Sequence, residues 1–347
     1  MGGELPGCLI KALDSFLSFM SQYYSMQWIF THGDIDGICS GAIAFAAHRD
    51  AKIFFTHPKG LAEDLSQAKG DVIICDIALP SDSFMDAINE LIRIKDEGGR
   101  AIYIDHHPLP NDFDPRSFPG ECFHSLNACA SELTFLRFQK DLDPNLNRVA
   151  IYGAVGDYMD DTYNIEKFLL KWDRAHVYLE SGLLSQAIDA FGKNYDVKRG
   201  IALYLSDNRT PSSDERIVSK AISESISDEW NRKRIKELVK VSGNIAYTFG
   251  MDWSMGKAAV YAMAETEKLV GIGAEARREN VEMSLRTETD GLDLNKLLND
   301  VAKRLGGSGG GHPKAAGARV PAEKFLTFLE QLNASISTEI KGSTTEY

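Results

Sequence analysis

The chain has 347 residues, more than the roughly 100 to 200 that one core usually organises, and its 44% hydrophobic content is ample for two domains. Its 38 basic residues against 50 acidic ones leave a net charge of -12, which excludes a surface that coats polyanions along its whole extent. The five cysteines (Cys8, Cys39, Cys75, Cys122, Cys129) form no Cys-x-x-Cys pair, no apolar run reaches the ~20 residues of a membrane span, and the first residues lack a secretory pattern, so a cytoplasmic protein with reduced thiols and no membrane association is expected.

In chain order, Leu9, Ile10, Leu13, Phe16, Leu17 and Met20 lie at helical spacing and predict a packing helix over 7–24. Gln27-Trp28-Ile29-Phe30 reads as a strand that runs into Thr31-His32-Gly33-Asp34-Ile35-Asp36. A small-residue helix is expected over 40–48, a strand over 52–56 and a helix over 61–69. The strand at 71–76 ends on Asp76, a helix follows over 82–97, and the strand at 100–105 stops abruptly in Asp105-His106-His107. Strands alternating with helices predict an α/β domain whose mostly parallel sheet is flanked by helices. Ligands of such sheets sit beyond the carboxyl ends of the strands, where all three polar clusters fall.

Helices are expected over 131–140 and 146–158, the second closing on Gly156-Asp157. The helix-rich stretch that follows reads as a connector. Strand-like pieces at 243–249, 258–262, 269–275 and 280–286, a helix at 294–305 and a strand and helix across 318–332 predict a smaller second α/β domain. The expected division is 1–180, a helical connector over 181–240, a second domain over 241–340 and a polar tail at 341–347.

His32, Asp34 and Asp36 alternate, so an extended backbone would turn them to one face, with Gly33 and Gly37 permitting a tight turn. Taken alone, such a cluster usually supports a turn. Together with Asp76, Asp105-His106-His107 and Asp157 it gathers carboxylates that would repel at one sheet edge, and two divalent cations resolve that repulsion. Carboxylates mixed with imidazoles suit Mn²⁺, or else Mg²⁺, and two such ions ~3.5 to 4 Å apart serve in-line displacement at phosphorus. Cys122, His124 and Cys129 lack a fourth zinc ligand and read as buried or surface residues. The glycine run from Gly306 to Gly317 would ordinarily be a linker, yet it is short, follows an apolar helix and contains His312 and Pro313. Glycines that let the backbone approach a phosphate or a base are the alternative.

These motifs resemble those of the DHH phosphoesterases, named for the triplet found here at Asp105-His106-His107. His32-x-Asp34-x-Asp36-Gly37 is similar to the first motif of the family, Asp76 to its second and Gly156-Asp157 to its fourth. The resemblance implies that His32, Asp34 and Asp76 hold one metal and Asp36, Asp76, His106 and Asp157 the other, with Asp76 bridging. His107 would face the scissile phosphate and Asp105 would orient an imidazole. Gly-Gly-Gly-His-Pro-x-Ala-Ala-Gly resembles the signature of the DHHA1 domain of RecJ-like nucleases and oligonucleotide hydrolases, which implies that Gly309, Gly310, Gly311, His312 and Arg286 bind substrate. Arg277, Arg278 and Lys314 read as solvated charges.

The implied activity is a two-metal exonuclease that releases 5′-mononucleotides from single-stranded DNA or RNA ends or from short oligonucleotides, with 3′→5′ polarity favoured. Bacterial RecJ proteins carry a further oligonucleotide-binding domain for which this length leaves no room, so strand ends are favoured over long tracts. Alternatives within the resemblance are a cyclic-dinucleotide or pAp-type phosphatase, or a non-catalytic replication component. A replication or repair factor is a possible partner, and the sequence is silent on oligomeric state.

Overall fold

The structure, a computed structural model, describes residues 26–80, 83–110 and 113–343. The expected helix at 7–24 and the last residues of the tail lie outside these. Neighbouring residues on each strand of the first sheet feed different cores. On β1 (Met26–Thr31), Ile29 joins a core with α1 (Ile35–Ala47), while Phe30 packs on the other side. β2 (Lys52–Phe55), α2 (Leu61–Ser66), β3 (Asp71–Cys75), α3 (Phe84–Asp96), β4 (Ala101–Asp105) and β5 (Glu121–His124) follow. Ile73, Ile102 and Ile104 share the α1 side, whereas Val72, Ile74 and Tyr103 share the side covered by α2 and α3. This period of two with both faces apolar belongs to a buried parallel sheet. The strand order is β2-β1-β3-β4-β5 and every pairing is parallel, so all carboxyl ends lie along one edge.

The α1 side is completed by α4 (Ala130–Phe138), α5 (Asn147–Gly156), α6 (Tyr163–Leu169), α7 (Arg174–Phe191) and α8 (Tyr195–Ser206). Val177, Leu184, Ile188, Ile201, Leu205 and Ile217 are buried in the same core as Ile29. Much of the stretch expected to be a connector therefore contributes apolar faces to this core. The chain forms two compact units that meet at Ile222 and Ser223, within α9 (Glu215–Leu238).

The second unit contains β6 (Lys240–Ser242), β7 (Ile245–Phe249), α10 (Met255–Thr266), β8 (Val270–Arg277), β9 (Asn280–Thr287), α11 (Leu294–Arg304), β10 (Ser308–Gly311), β11 (Ala315–Pro321) and α12 (Phe325–Ser343). Its six strands run in the order β10-β11-β9-β8-β7-β6, antiparallel except for the β7–β8 pair that α10 connects. The residues at 258–262, expected as a strand, lie instead within α10. Ser254 caps that helix and its run of alanines and methionines favours helix, which short apolar patterning alone does not distinguish from a strand. The glycine run is likewise corrected, because Ser308–Gly311 is an edge strand and not a loop. A Cβ on Gly309 would lie 2.9 Å from the Leu298 Cβ, so glycine lets this strand lie against α11.

Candidate metal centre

Asp34 caps α1, its side chain accepting a hydrogen bond from Gly37 N at 3.0 Å. Residues 35–47 are therefore helical from Ile35 onward, earlier than the expected start at 40, and Asp36 sits in the first helical turn and not on an extended strand. Gly37 is required by this geometry, because a Cβ there would lie 2.4 Å from the His32 carbonyl oxygen. The helical turn buries Asp36, whose Oδ2 and Oδ1 accept from Ala130 N at 2.7 Å and Ser131 N at 2.9 Å at the start of α4. Negative charge is stabilised at that position by unsatisfied amides. A Cβ on Gly153 would lie 2.6 Å from Asp36 Oδ1, so glycine also clears space on the α5 side.

Asp76 follows β3 with φ 56, and its amide donates to Ile104 O at 3.0 Å, so sheet pairing holds the strained turn in place. Ligand atoms of His32, Asp34 and Asp76 lie within 4.8 Å of one another; the same is true of Asp36, Asp76 and His106, and of Asp76, Asp105 and His107. Asp76 is common to all three groups. His106 Nε2 is 3.4 Å from Asp76 Oδ1, 3.5 Å from Asp157 Oδ2 and 3.8 Å from Asp36 Oδ2. All eight residues expected at the metal and phosphate site thus come from one edge of the first unit.

The electrostatics are those of a site built for cations. Burial, and then Asp34, Asp36, Asp157 and Asp105, push the Asp76 carboxyl well above its ordinary range. Its buried Oδ2 has no hydrogen-bond partner among the described residues, an open acceptor that a divalent ion fits. Burial raises the Asp34 carboxyl, but the His32 ring 2.7 Å away outweighs this and holds it far below the usual range. Burial also lowers His106, favouring the neutral imidazole that metals require. His107 behaves differently. Against burial, which pushes it down, the Asp105 carboxylate 2.9 Å from Nδ1 raises His107 to about 9.

Several contributors escaped sequence reasoning. Tyr103 lies two residues before Asp105, on the same side of β4, and its hydroxyl is 2.8 Å from Asp105 Oδ2 and 2.9 Å from Ile77 O. The period of two could have revealed it. His124, in register with Asp105 on β5, donates from Nε2 to the His107 carbonyl at 2.7 Å. Lys198 on α8 carried no sequence signal. It is buried, and its Nζ donates to Gly33 O at 2.6 Å, pinning the turn between His32 and Asp34. Lys198→Met is expected to destabilise the fold by about 1 to 3 kcal/mol through the orphaned carbonyl and to weaken Mn²⁺ binding several-fold. Thermal melting and a metal titration check this, and unchanged affinity would leave Lys198 a purely structural role.

In the second unit, Arg286 on β9 pairs in register with Ala315 on β11. Its Nη1 donates to Leu285 O at 2.8 Å, and its Nη2 lies 2.8 Å from where a Cβ on Gly256 would stand, at the start of α10. His312 N donates to Ala315 O at 2.9 Å, closing the turn between β10 and β11. Gly311 N donates to Asn295 Oδ1 at 3.1 Å, which fixes that turn to α11. Arg286 and His312 therefore stand near the same end of this sheet. Lys314 approaches Glu288 and Asp290, and Arg277 pairs with Glu275.

A parallel sheet whose carboxyl edge gathers carboxylates and imidazoles defines a metal-binding α/β protein. A model of the DHH family N-terminal domain matches residues 27–155, and a model of the DHHA1 domain matches residues 217–338. The chain belongs to the DHH family and carries a DHHA1 domain after its DHH domain. An uncharacterized protein of Methanocaldococcus jannaschii is 29% identical over 235 residues, covering 61% of this chain and 49% of that protein, so the chain spans about half the length of the curated relative it matches. RecJ from Thermus thermophilus, solved in complex with Mn²⁺, superposes with a TM-score of 0.67 at 16% identity, covering 93% of this chain and 54% of that one. The pGpG-specific phosphodiesterase PggH from Vibrio cholerae gives a TM-score of 0.57 at 15% identity, covering 90% and 99%. At these identities the structures share the fold. Among the described residues no helix is long and apolar enough to cross a membrane.

Proposed function

We propose that the chain is a two-metal phosphodiesterase that hydrolyses the ends of single-stranded DNA or RNA, or short oligonucleotides, to 5′-mononucleotides, with 3′→5′ polarity. The observation that carries this reading is Asp76, a buried carboxylate shared by the His32–Asp34 side and the Asp36–His106 side of one edge. His32, Asp34 and Asp76 would hold one ion, and Asp36, Asp76, His106 and Asp157 the other, with Mn²⁺ favoured and Mg²⁺ as an alternative. Bound there, the cations supply Lewis acidity to phosphoryl oxygens and lower the pKa of water.

The rest falls to the chain itself. Asp105 holds a proton on His107 Nδ1, so the ring presents positive charge to a phosphate whose charge grows in the transition state. Tyr103 and the His107 amide, which donates to Asp105 Oδ2 at 3.1 Å, hold that carboxylate in place. Arg286, with Gly309, Gly310, Gly311 and His312, would hold substrate, a guanidinium being suited to bidentate phosphate contact. Arg286→Ala is expected to raise KM for an oligonucleotide about 10-fold or more while Mn²⁺ affinity stays at the wild-type value, as read by steady-state kinetics and calorimetry. An unchanged KM would remove Arg286 from substrate binding.

A second reading is a phosphodiesterase or phosphatase confined to dinucleotides, cyclic dinucleotides or pAp-type substrates. The match covers 99% of the pGpG-specific enzyme and 93% of a manganese-bound RecJ, so both substrate classes are tested together. Single-stranded DNA and RNA of several lengths, labelled at either end, are incubated with Mn²⁺ beside linear and cyclic dinucleotides. Progressive ladders shortening from the 3′ end support the first reading. Turnover of dinucleotides alone establishes the second, and turnover that survives a chelator removes the metal mechanism.

A further inference from the structure

The turn that ends α5 carries an exposed aromatic where helices ordinarily place glycine. Tyr158 N donates to Val155 O at 3.4 Å and Met159 N to Ala154 O at 2.8 Å, the paired bonds of a Schellman motif. The residue after the cap in this motif adopts left-handed backbone and is usually Gly, sometimes Asn. Here it is Tyr158, with φ 57. Bulky residues are strained in that region, and this one recovers nothing by packing, because it is 85% exposed. Glycine stands two residues earlier, at Gly156, where a Cβ would lie 2.0 Å from Ile35 Cγ2. Stability thus explains Gly156 and does not explain Tyr158.

The segment that carries Tyr158 is held at several points. Asp160 Oδ2 accepts from the Tyr178 hydroxyl at 2.9 Å. Thr162 Oγ1 and Asn164 Nδ2 donate to the two oxygens of buried Glu132 at 2.6 and 2.8 Å. Between these anchors stands a second solvent-facing ring, Tyr163, 78% exposed at the first residue of α6. Tyr158 directly follows Asp157, and consecutive Cα atoms are about 3.8 Å apart. A fixed frame therefore presents aromatic surface to solvent beside a carboxylate of the metal centre.

We propose that Tyr158, with Tyr163 as a second ring, is a stacking platform for a nucleobase next to the scissile phosphate and sets the preference for base-bearing substrates. The inference rests on reading the metal centre as that of a phosphodiesterase. An aromatic face stacks any base, and the backbone that carries these rings is already anchored, so little of the chain needs ordering on binding. The platform would therefore select for the presence of a base without selecting its identity.

The test uses the full chain with Mn²⁺, a 5′-phosphorylated adenine dinucleotide and its counterpart lacking the base on one side. In Tyr158→Gly the ratio of kcat/KM for the dinucleotide over the abasic substrate is expected to fall by about 5- to 100-fold. Tyr158→Phe keeps the ratio near wild type, and the glycine variant melts no lower than wild type because strain is relieved. An unchanged ratio in Tyr158→Gly overturns the platform, as does a loss of Mn²⁺ affinity that accounts for the defect through Asp157. If wild type hydrolyses neither compound, the phosphodiesterase reading fails instead. Equilibrium binding of the dinucleotide then decides the platform, which stands if glycine weakens binding about 5-fold or more and falls if it does not.

Discussion

Asp76→Asn should abolish turnover and yet stabilise the metal-free protein. The shared carboxylate would anchor both ions, whose Lewis acidity is worth several kcal/mol in the transition state, so kcat is expected to fall by about 10³-fold or more. Asparagine is the informative replacement because it tolerates the left-handed backbone at this position, φ 56, better than alanine does. Without metal the buried Asp76 faces four other carboxylates, and its folded pKa lies well above the unfolded value. The folded state therefore binds the extra proton, and stability is lost as pH rises from about 4, the unfolded carboxylate value, towards the folded one. Metal-free wild type should melt below the asparagine variant at pH 7, and the gap should close towards pH 4. Added Mn²⁺ reverses the order, since an ion at 100 times its Kd stabilises the folded state by about 2.7 kcal/mol. Melting curves with and without Mn²⁺ across this pH range, beside turnover of a labelled oligonucleotide, check both halves. Retained turnover, or a metal-induced shift equal to wild type, would take Asp76 out of the centre.

Asp105→Asn is expected to act through His107. The carboxylate is the largest contribution that raises the His107 pKa to about 9 against burial, ahead of Asp157 and Asp34, so without it the pKa falls and less of the ring is charged near pH 8. A positioned charged group of this kind contributes about 10² to 10³ in rate, so kcat near pH 8 should fall by that order. The alkaline limb of the pH-rate profile should move at least one unit towards acid relative to wild type. The pair also stabilises the fold within a defined window. Asp105, whose pKa is lowered despite burial, contributes above the unfolded carboxylate value, and this is lost as pH falls through its folded value. His107 contributes fully below about 6.5, and this is lost as pH rises through about 9. An alkaline limb that stays in place would show that Asp105 does not set the charge of His107.

Much of the centre was legible because its residues stand at the ends of apolar strands. A run such as Ala101–Ile104 predicts a buried strand, and a polar group at its end marks the ligand edge of a parallel sheet. Local backbone was less legible. The alternation His32, Asp34, Asp36 suggested an extended face, yet Asp34 caps a helix and the turn sends Asp36 inward to the amides of α4. The alanine-rich segment at 258–262 and the glycines at 308–311 were misread for a related reason. Small residues carry little pattern of their own, and what packs on them decides their conformation.

By itself the sequence determined the kind of chemistry, because carboxylates and imidazoles at the ends of successive strands have few stable uses without a cation. It also determined the parallel sheet, since apolar residues on both faces of a strand demand cover on both. The family resemblance already implied that Asp76 is shared; only the tertiary structure gave the distances around it, the electrostatic difference between the two histidines and what steadies the turn at Gly33. Asp76 becomes common to the three donor groups of the first unit only when three strand ends meet, and the Asp105 carboxylate beside His107 is the largest contribution that raises that ring's pKa, while burial lowers His106. Lys198 reaches Gly33 from a helix 165 residues away. Distances between side chains set these electrostatic differences, and for residues far apart in the chain those distances exist only after folding.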